Sequence, residues 1–267
     1  MMETYISIAP SGPLIVPQDA DIVPPNADSQ MSLSVIVPTF EESGNIDQFL
    51  LALCRSLDPL LKGSYEILVL DDDSRDGTLE RAALVAAEYP QIRLAKREGE
   101  RELSTAVIRG WQMAKGSVLA TINADFQHPP DLIAGMWQGA RDADLVVASR
   151  YCKGGSAKDW TVGRRILSRC AQLLGVILLP EAFLRVSDPL SGCFLLRRDA
   201  ISGTELNPRG FKSLIEVLVR GRVKTVAEFP YKMQTREWGS SKANGTRLLD
   251  YVVQLLRLRR AGRKKRQ

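Results

Sequence analysis

The chain has 267 residues, of which 45% are hydrophobic and 25% charged, an ordinary composition for a globular protein with a substantial core. Its formal net charge of +5 comes from one end, because seven of the 36 basic residues lie in the last eleven positions, which contain no acidic residue. The rest of the chain has 29 basic and 31 acidic residues, which argues against a nucleic-acid-binding protein with a basic face.

The cysteines and the apolar runs exclude further classes of protein. Cys54, Cys152, Cys170 and Cys193 form no CxxC pair, so neither a zinc site nor a disulfide framework is expected, and a reducing, cytosolic setting is favoured. The first residues lack the charged and apolar regions of a signal peptide. The longest apolar run, near "CAQLLGVILLP", is shorter than the span of about 20 residues that a transmembrane helix needs. A soluble or peripheral protein is expected.

The N-terminal part of the chain differs in pattern from the rest. Residues 1–30 contain many prolines and no sustained hydrophobic period, which predicts a disordered leader. From Ser32 onward, short apolar runs alternate with helix-length amphipathic segments, the pattern of an α/β fold with a mostly parallel sheet flanked by helices. The predicted strands cover residues 33–38, 65–71, 92–96, 117–123 and 144–150, and the predicted helices cover about 45–61, 77–89, 103–115 and 131–141.

Beyond Lys158 the pattern changes. Two amphipathic helices are predicted, "WTVGRRILSRCAQLLGVILL" and, at residues 246–260, "TRLLDYVVQLLRLRR". Between them lie "SDPLSGCFLLRR", a short helix "FKSLIEVLVRG" and a strand "VKTVAEFPYKM". The resulting division is a leader at 1–30, one domain at 31–245, and an amphipathic helix with a basic tail at 246–267.

Acidic residues follow the second predicted strand in "DDDSRDGT". Asp71, Asp72, Asp73 and Asp76 either form a polar turn, in which Asp76 or Thr78 caps the next helix, or line a nucleotide pocket. A carboxylate there accepts hydrogen bonds from ring N–H groups or ribose hydroxyls. The spacing leaves both interpretations open.

A second polar segment, "NADFQHPP", follows the fourth predicted strand. It is either an Asx turn before two prolines or a divalent-metal site that holds a diphosphate. Mg²⁺ typically takes one or two protein carboxylates and completes its coordination with water and phosphate oxygens, so Asp125 and Gln127 are sufficient ligands. Asn123 offers an amide oxygen but no charge, and weaker metal binding is expected than at a paired-aspartate site.

His128 is the only histidine of the chain, which excludes a multi-histidine metal site. Beside two prolines, it is either a structural hydrogen-bonding residue or a base. The sequence also lacks a GxGxxG motif after the first strand and a GxxxxGK[ST] motif, which disfavours a dinucleotide-binding Rossmann domain and a P-loop NTPase.

Taken together, the motifs resemble those of the family 2 inverting glycosyltransferases with a GT-A fold, over about residues 32–255. Within that family they are similar to dolichol-phosphate or polyprenyl-phosphate mannosyltransferases and their glucosyl relatives. The motifs that carry the resemblance are "SVIVPTFEESGNI", "VLDDDSRDGT", "ELSTAVIRGWQMAKG", "NADFQHPPD", "VVASRYCKGG", "WTVGRRILSRCAQLL", "SDPLSGCFLLRR" and "REWGSSK".

The resemblance implies roles for individual residues. The positions matched to nucleotide binding are Pro38, Phe40, Glu41, Asp71 and Asp72. Asp125 and Gln127 match the last two ligands of a "DADxQ" motif for Mg²⁺ or Mn²⁺, with Asn123 in the place of the first. The positions matched to the donor and acceptor phosphates are Arg150, Arg165, Ser168, Arg236, Ser241 and Lys242. Catalysis is expected to depend on Asp125 and on the cations Arg150, Arg165, Arg236 and Lys242.

The sequence departs from the family pattern at two positions. Asn123 replaces the first Asp of "DADxQ", and Phe194 lies where some mannosyltransferases have an Arg in "SGFR". The first change bears on metal affinity and the second on contact with the sugar or the acceptor phosphate.

The implied reaction is transfer of a hexose, with inversion, from a nucleotide sugar to a polyprenyl or dolichyl phosphate. Mannose from GDP-mannose is the first expectation and glucose from UDP-glucose the alternative, with a catalytically weak nucleotide-sugar-binding protein as a third. The amphipathic helices and the basic tail predict peripheral attachment to the cytoplasmic face of a membrane.

Overall fold

The protein is described from a computed structural model. It describes residues 5–8, 12–17, 32–99, 101–158, 161–209, 211–235 and 245–264, and within the last range the side chains of 248–261.

Eight strands form one sheet, in the order β1-β5-β4-β3-β6-β8-β7-β10, and β2 and β9 form a separate antiparallel pair. Strand β8 runs antiparallel to its neighbours β6 and β7, while the other pairings of the large sheet are parallel. The strands are β1 (Ile6–Ile8), β2 (Leu14–Ile15), β3 (Leu33–Thr39), β4 (Tyr65–Asp71), β5 (Ile92–Arg97), β6 (Val118–Thr121), β7 (Leu145–Ser149), β8 (Phe194–Arg197), β9 (Glu205–Leu206) and β10 (Val226–Pro230).

Helices flank this sheet, which confirms the predicted α/β class. They are α1 (Ile46–Leu61), α2 (Thr78–Glu88), α3 (Leu103–Met113), α4 (Leu132–Trp137), α5 (Val162–Leu178), α6 (Pro180–Phe183), α7 (Ser213–Arg220) and α8 (Gly245–Lys264). The single helix predicted at 131–141 is divided, because α4 ends at Trp137 and a 3₁₀ turn, Gln138–Arg141, comes directly after it.

The core lies on both faces of the sheet, as expected where helices cover a parallel sheet on each side. Along β3, Val35 and Val37 belong to the core cluster that includes α1, α2 and α4, whereas Ile36 lies on the other face, in the cluster that includes α3, α6, α7 and α8. This alternation follows from the two-residue repeat of a strand. Both faces of β3 are fully buried, which explains its continuous apolar sequence.

The C-terminal helix α8 is part of this packing. Tyr251, Leu255 and Leu258 are buried in the core on the same face of the sheet as Ile36, and the Tyr251 hydroxyl donates to the Ala171 carbonyl of α5 at 2.6 Å. The amphipathic helix predicted at 246–260 is therefore confirmed, and its apolar face covers the domain core. The boundary at residue 245 stays a prediction.

For two parts of the leader, the prediction of disorder is wrong. Residues Ile6–Ile8 pair in parallel with Ala95–Arg97 of β5, and Leu14–Ile15 pair with β9. Val16 is fully buried, and the Gln112 side chain of α3 donates to the carbonyls of Pro13 and Ile15. The physical reason is that the edge strand β5 has open backbone groups, which a short apolar segment satisfies. The other residues of the predicted leader lie outside the described ranges.

Candidate functional site

Polar loops follow the parallel strands at one edge of the sheet, where ligands of open α/β sheets bind. The loops after β3, β4, β6 and β7 all begin at this edge, and Thr39 and Asp71 are direct partners in the register of β3 and β4. Strand β8 is antiparallel, so its first residues also lie at this edge, together with the preceding segment 187–193. We call this segment the 187–193 loop.

Asp71 is completely buried and connects the loops after β3 and β4. Its carboxylate accepts from the Thr39 hydroxyl at 2.8 Å and from both the amide and the hydroxyl of Ser74 at 2.7 Å. The Ser74 hydroxyl in turn accepts from the Glu41 amide at 2.7 Å. Burial raises the pKa of Asp71, and the hydrogen bonds from Ser74 and Thr39 oppose that shift. Asp71 thus holds the loops after β3 and β4 together, and direct contact with a nucleotide stays a prediction.

Asp72 is buried beside Arg97, a residue that sequence reasoning did not select. The Asp72 Oδ1 atom lies 3.2 Å from Arg97 Nε, and the guanidinium also donates to the Thr105 hydroxyl at 3.0 Å. Arg97 is only 2% exposed, so this ion pair is well shielded from solvent. Arg97 therefore fixes the carboxylate that the family resemblance assigns to the nucleotide.

Asp76 lies in a polar turn, as the turn interpretation predicts, but the N-cap residue of α2 is Gly77, so the expectation that Asp76 or Thr78 is the cap is wrong. Its carboxylate accepts from the amide and hydroxyl of Thr78, at 3.2 and 2.5 Å, and from the Ser43 amide at 3.0 Å. These bonds connect the loop after β3 to the start of α2.

The residues matched to "PTFE" lie beside these acids. Pro38 is buried within β3, while Phe40 is half-buried and Glu41 is exposed with a positive φ of 53°. The Arg101 guanidinium lies 5.3 Å from the centre of the Phe40 ring, and Asp73 pairs with Lys96 at 2.8 Å. The structure thus brings the five predicted nucleotide-side residues to one edge of the sheet.

The predicted metal-binding segment forms an Asx turn. Asp125 Oδ1 accepts from the Gln127 amide at 3.1 Å, and Phe126 between them has a positive φ of 55° and packs on Phe49. Asp125 and Gln127 are buried, whereas Asn123 is half-buried. The two interpretations of this segment are therefore compatible, since a carboxylate in an Asx turn keeps further lone pairs for a ligand.

The oxygen donors of this turn fit a hard divalent cation with an incomplete protein shell. Within the described part of the chain, no three His, Cys, Asp or Glu side chains converge as a metal cage. One carboxylate, with the amide oxygens of Gln127 and Asn123, matches the protein share that Mg²⁺ typically takes when phosphates and water complete its coordination. The ligand roles of Asp125, Gln127 and Asn123 stay predictions.

His128 is buried and its ring stacks on Tyr231, with 5.1 Å between ring centres. Burial lowers its pKa to about 4, so the imidazole is neutral at pH 7 and is a poor proton acceptor. Its Nδ1 atom has no hydrogen-bond partner among the described residues. These properties favour the structural interpretation of His128.

Arg150, expected near the phosphates, makes a buried ion pair with Asp188 of the 187–193 loop. Its Nε and Nη2 atoms donate to the two carboxylate oxygens at 2.7 Å each, and its amide donates to Oδ2 at 3.1 Å. Arg150 is 6% exposed and Asp188 is fully buried. Sequence reasoning missed Asp188, although its position in "SDPLSG" was a visible signal. A direct phosphate contact of Arg150 stays a prediction.

Tyr151 joins Arg150 to helix α5. The Arg169 guanidinium lies 4.0 Å from the centre of the Tyr151 ring, the Arg150 guanidinium lies 5.2 Å from it, and the Tyr151 hydroxyl lies 3.2 Å from the Ser168 hydroxyl. Predicted residues Arg150 and Ser168 are thus brought together. Arg165 is exposed on α5, and Arg236, Ser241 and Lys242 lie outside the described residues.

The 187–193 loop lies beside the loop after β6 as well as beside Arg150. A Cβ atom placed on Gly192 would lie 3.3 Å from Asn123 Nδ2 and 3.5 Å from His128 Cε1. Phe194, directly after the loop, is fully buried against Trp111, with 6.0 Å between ring centres. Phe194 therefore belongs to the core.

The sequence matches one protein family. Residues 34–203 match the family described as Glycosyl transferase family 2. The chain belongs to this family. It is 39% identical over 230 residues to a dolichol-phosphate mannosyltransferase of Pyrococcus furiosus, an alignment that covers 85% of this chain and 64% of that protein. The chain thus spans less than two thirds of the length of this relative.

Two other glycosyltransferase relatives are matched over most of their length. A dolichol-phosphate mannosyltransferase of Saccharomyces cerevisiae is 32% identical, with 84% of this chain and 86% of that protein covered. An undecaprenyl-phosphate mannosyltransferase of Micrococcus luteus is 31% identical, with 85% and 93% covered.

The family fold is also seen in solved structures. Glucosyl-3-phosphoglycerate synthase from Mycobacterium tuberculosis, solved in complex with Mn²⁺, UDP and glucosyl-3-phosphoglycerate, superposes with a TM-score of 0.63. The match covers 87% of this chain and 80% of that one at 21% identity. This confirms the predicted GT-A fold.

Proposed function

We propose that this glycosyltransferase moves mannose from a nucleoside diphosphate sugar to a polyprenyl phosphate, with inversion at the anomeric carbon. The observation that carries the proposal is the 187–193 loop, which contacts the oxygen-donor turn at Asn123 on one side and holds Arg150 through Asp188 on the other. Groups suited to a metal-bound diphosphate and to a second phosphate therefore lie beside each other. The named relatives transfer mannose to dolichol or undecaprenyl phosphate, which supports this acceptor class.

The proposed nucleophile needs no protein base. A phosphate monoester has a second pKa near 6, so at neutral pH it is mostly a dianion that attacks directly. This agrees with a site whose single histidine is buried, neutral and a poor base. The chain's task is to hold two anions in line and to stabilise charge on the leaving diphosphate. A divalent cation, held by Asp125, Gln127 and Asn123, supplies part of that stabilisation when bound.

GDP-mannose is the proposed donor, with UDP-glucose as the alternative. Support for mannose comes from the names of the relatives. A carboxylate such as that of Asp72 accepts from the ring N–H groups of either base and does not select between them. A third candidate, a nucleotide-sugar-binding protein with little turnover, is favoured by one observation only, the uncharged Asn123 in the metal-binding turn.

A membrane surface is the proposed location of the acceptor. Helix α5 presents four apolar residues at helical spacing, each 57–63% exposed: Val162, Ile166, Leu173 and Ile177. Arg165 and Arg169 are exposed on the same helix. An apolar stripe beside cations is the pattern of a helix that lies in a bilayer interface, where each cation adds about 1 kcal/mol on anionic lipid. In the ranges that the structure describes, no helix is both long and apolar enough to cross a bilayer.

The direct test is transfer of radiolabelled sugar from GDP-mannose and, separately, from UDP-glucose to a short polyprenyl phosphate, with Mg²⁺, with Mn²⁺ and with chelator. We expect metal-dependent mannolipid, and we expect Asp125→Asn to abolish it. Asp131→Asn is the matched control, because Asp131 is an exposed acid at the end of the same loop. Glucolipid as the main product would select the alternative donor. Nucleotide binding without any lipid product would refute the proposed activity.

A further inference from the structure

Lys212 lies next to this site, and neither the sequence motifs nor the proposed reaction uses it. It directly precedes helix α7, and its ammonium donates to the Leu190 carbonyl of the 187–193 loop. The ammonium also lies 4.9 Å from the centre of the Phe211 ring. The backbone carbonyl of Lys212 accepts from the Gln254 side chain of α8 at 3.2 Å, which fixes the start of α7.

The position of Leu190 connects Lys212 to both halves of the site. Leu190 lies two residues after Asp188, which holds Arg150, and two residues before Gly192, where an added Cβ would meet Asn123 and His128. Five residues of this loop, 188–192, therefore connect Arg150, Lys212 and the metal-binding turn.

The charges around the Lys212 ammonium are mostly positive. Arg150 from the end of β7 and Arg164 from α5 both act against its protonation, and Asp188 favours it. Asp188 already forms a bidentate pair with Arg150. His128 also faces this region and is neutral at pH 7. Burial of the ammonium, followed by the charge of Arg150, lowers the pKa of Lys212 to about 7.

We propose that Lys212 is a further phosphate-binding residue of this site, which takes up a proton from solvent when a phosphate group binds. The inference rests on the proposed function, because an anionic phosphate group is what the donor and the acceptor have in common. A bound phosphate compensates the positive charge of Arg150, Arg164 and Lys212. Its binding therefore raises the pKa of Lys212 and favours the protonated lysine. An ammonium whose protonation increases when the anion binds reduces repulsion from the two arginines before binding.

The experiment is calorimetric binding of GDP and, in a separate arm, of farnesyl phosphate, each to the full chain at pH 8. Each titration is repeated in two buffers of different ionisation enthalpy, which measures proton uptake. The terminal phosphate of each ligand is already doubly ionised at pH 8, so an absorbed proton goes to the protein. We expect the unchanged protein to take up about one proton with at least one of the ligands.

Three variants separate charge from structure. Lys212→Met is expected to bind the same ligand at least tenfold more weakly and without proton uptake. Lys212→Arg is expected to retain affinity but lose the uptake, because a guanidinium stays charged at pH 8. Lys224→Met is the control, since Lys224 is exposed before β10, at the opposite edge of the sheet.

The two arms distinguish the sources of the phosphate. If Lys212→Met loses proton uptake in the GDP titration only, Lys212 binds the donor diphosphate. If it loses proton uptake in the farnesyl phosphate titration only, Lys212 binds the acceptor phosphate. Unaltered affinity and proton uptake in Lys212→Met with both ligands would overturn the inference and leave Lys212 a structural support of the loop. Binding is measured without turnover, so a protein that forms no mannolipid would refute the proposed function and leave this result standing.

Discussion

Two glycines of helix α5 have opposite surroundings. A Cβ atom on Gly175 would lie 2.0 Å from Phe183 Cε1, whereas one on Gly163 would meet no atom within 4 Å. We therefore expect Gly175→Ala to lower the free energy of unfolding by about 1–3 kcal/mol through overpacking. Gly163→Ala should raise it by about 0.5–1 kcal/mol, because alanine loses less backbone entropy in a helix. Urea denaturation followed by circular dichroism measures both, and equal effects would contradict the packing of α5 on Phe183.

Asn123 is the residue that most directly limits the metal affinity of the proposed site. Asn123→Asp adds a carboxylate beside Asp125, and we expect the Mg²⁺ concentration for half-maximal transfer to fall by up to about tenfold. Gln138→Glu is the control, because it adds the same charge at an exposed position after α4. If Gln138→Glu lowered this Mg²⁺ concentration and Asn123→Asp did not, Asn123 would have no part in holding the ion.

At the residue scale, the sequence motifs identified correctly which side chains lie at the site. They did not identify the residues that those side chains contact. The motifs placed Asp71, Asp125 and Arg150 correctly at one edge of the sheet, because strand ends are readable from the hydrophobic pattern. The partners Arg97 and Asp188 were missed, since each lies far along the chain from the acid or base that it pairs with. Such pairings depend on tertiary packing, which a single sequence does not encode locally.

Helix α5 carries five large hydrophobic side chains that are exposed: Val162, Ile166, Leu167, Leu173 and Ile177. We expect the combined change Ile166→Ser, Leu173→Ser and Ile177→Ser to reduce sedimentation with anionic phospholipid vesicles strongly, because it removes most of the exposed apolar stripe. The fold should persist, since these side chains are largely outside the core. Leu84→Ser is the control, because Leu84 is 74% exposed on α2. Unchanged vesicle binding by the triple variant would refute a role of α5 at the membrane.

The basic C-terminal segment needs a different experiment. Removing residues 257–267 would also remove Leu258, which is fully buried in the core. Arg257→Gln with Arg260→Gln removes two exposed charges and leaves the packing of α8 intact. We expect this variant to bind anionic vesicles less than the unchanged protein does. The reduction should be larger at low salt than at high salt, because salt screens exposed charges. An equal loss at both salt concentrations would contradict an electrostatic role of these arginines.

The predicted elements agree best with the structure where the pattern is long and regular. Strands β3 and β4 and helices α1 and α3 were predicted within about two residues of their observed bounds. Strand β8 was not predicted, because its four residues, "FLLR", carry no alternation and its direction is set by pairing with β6 and β7. Strand β1 was missed because three residues give too short a signal.

For the whole molecule, Lys212 adds a pH dependence to stability. Its pKa is about 7 in the folded protein, against an ordinary value of 10.5, so between these values the unfolded chain binds the additional proton. The free energy of unfolding therefore rises with pH in this window. The free energy of unfolding of Lys212→Met minus that of the unchanged protein should therefore be greater at pH 7 than at pH 9. Urea midpoints at both pH values measure this, and a pH-independent difference would contradict the buried ammonium.

Strand β1 has a consequence for solubility. It pairs with β5, which would otherwise be the outer strand of the large sheet. Strand β5 is six residues long, and its central residues Leu94 and Ala95 are almost fully buried. Long unpaired edges are templates on which other chains add strands, and a three-residue edge is a poor template. We therefore expect the N-terminal segment to reduce aggregation at this edge, which is remote from Arg150 and β7 in the strand order.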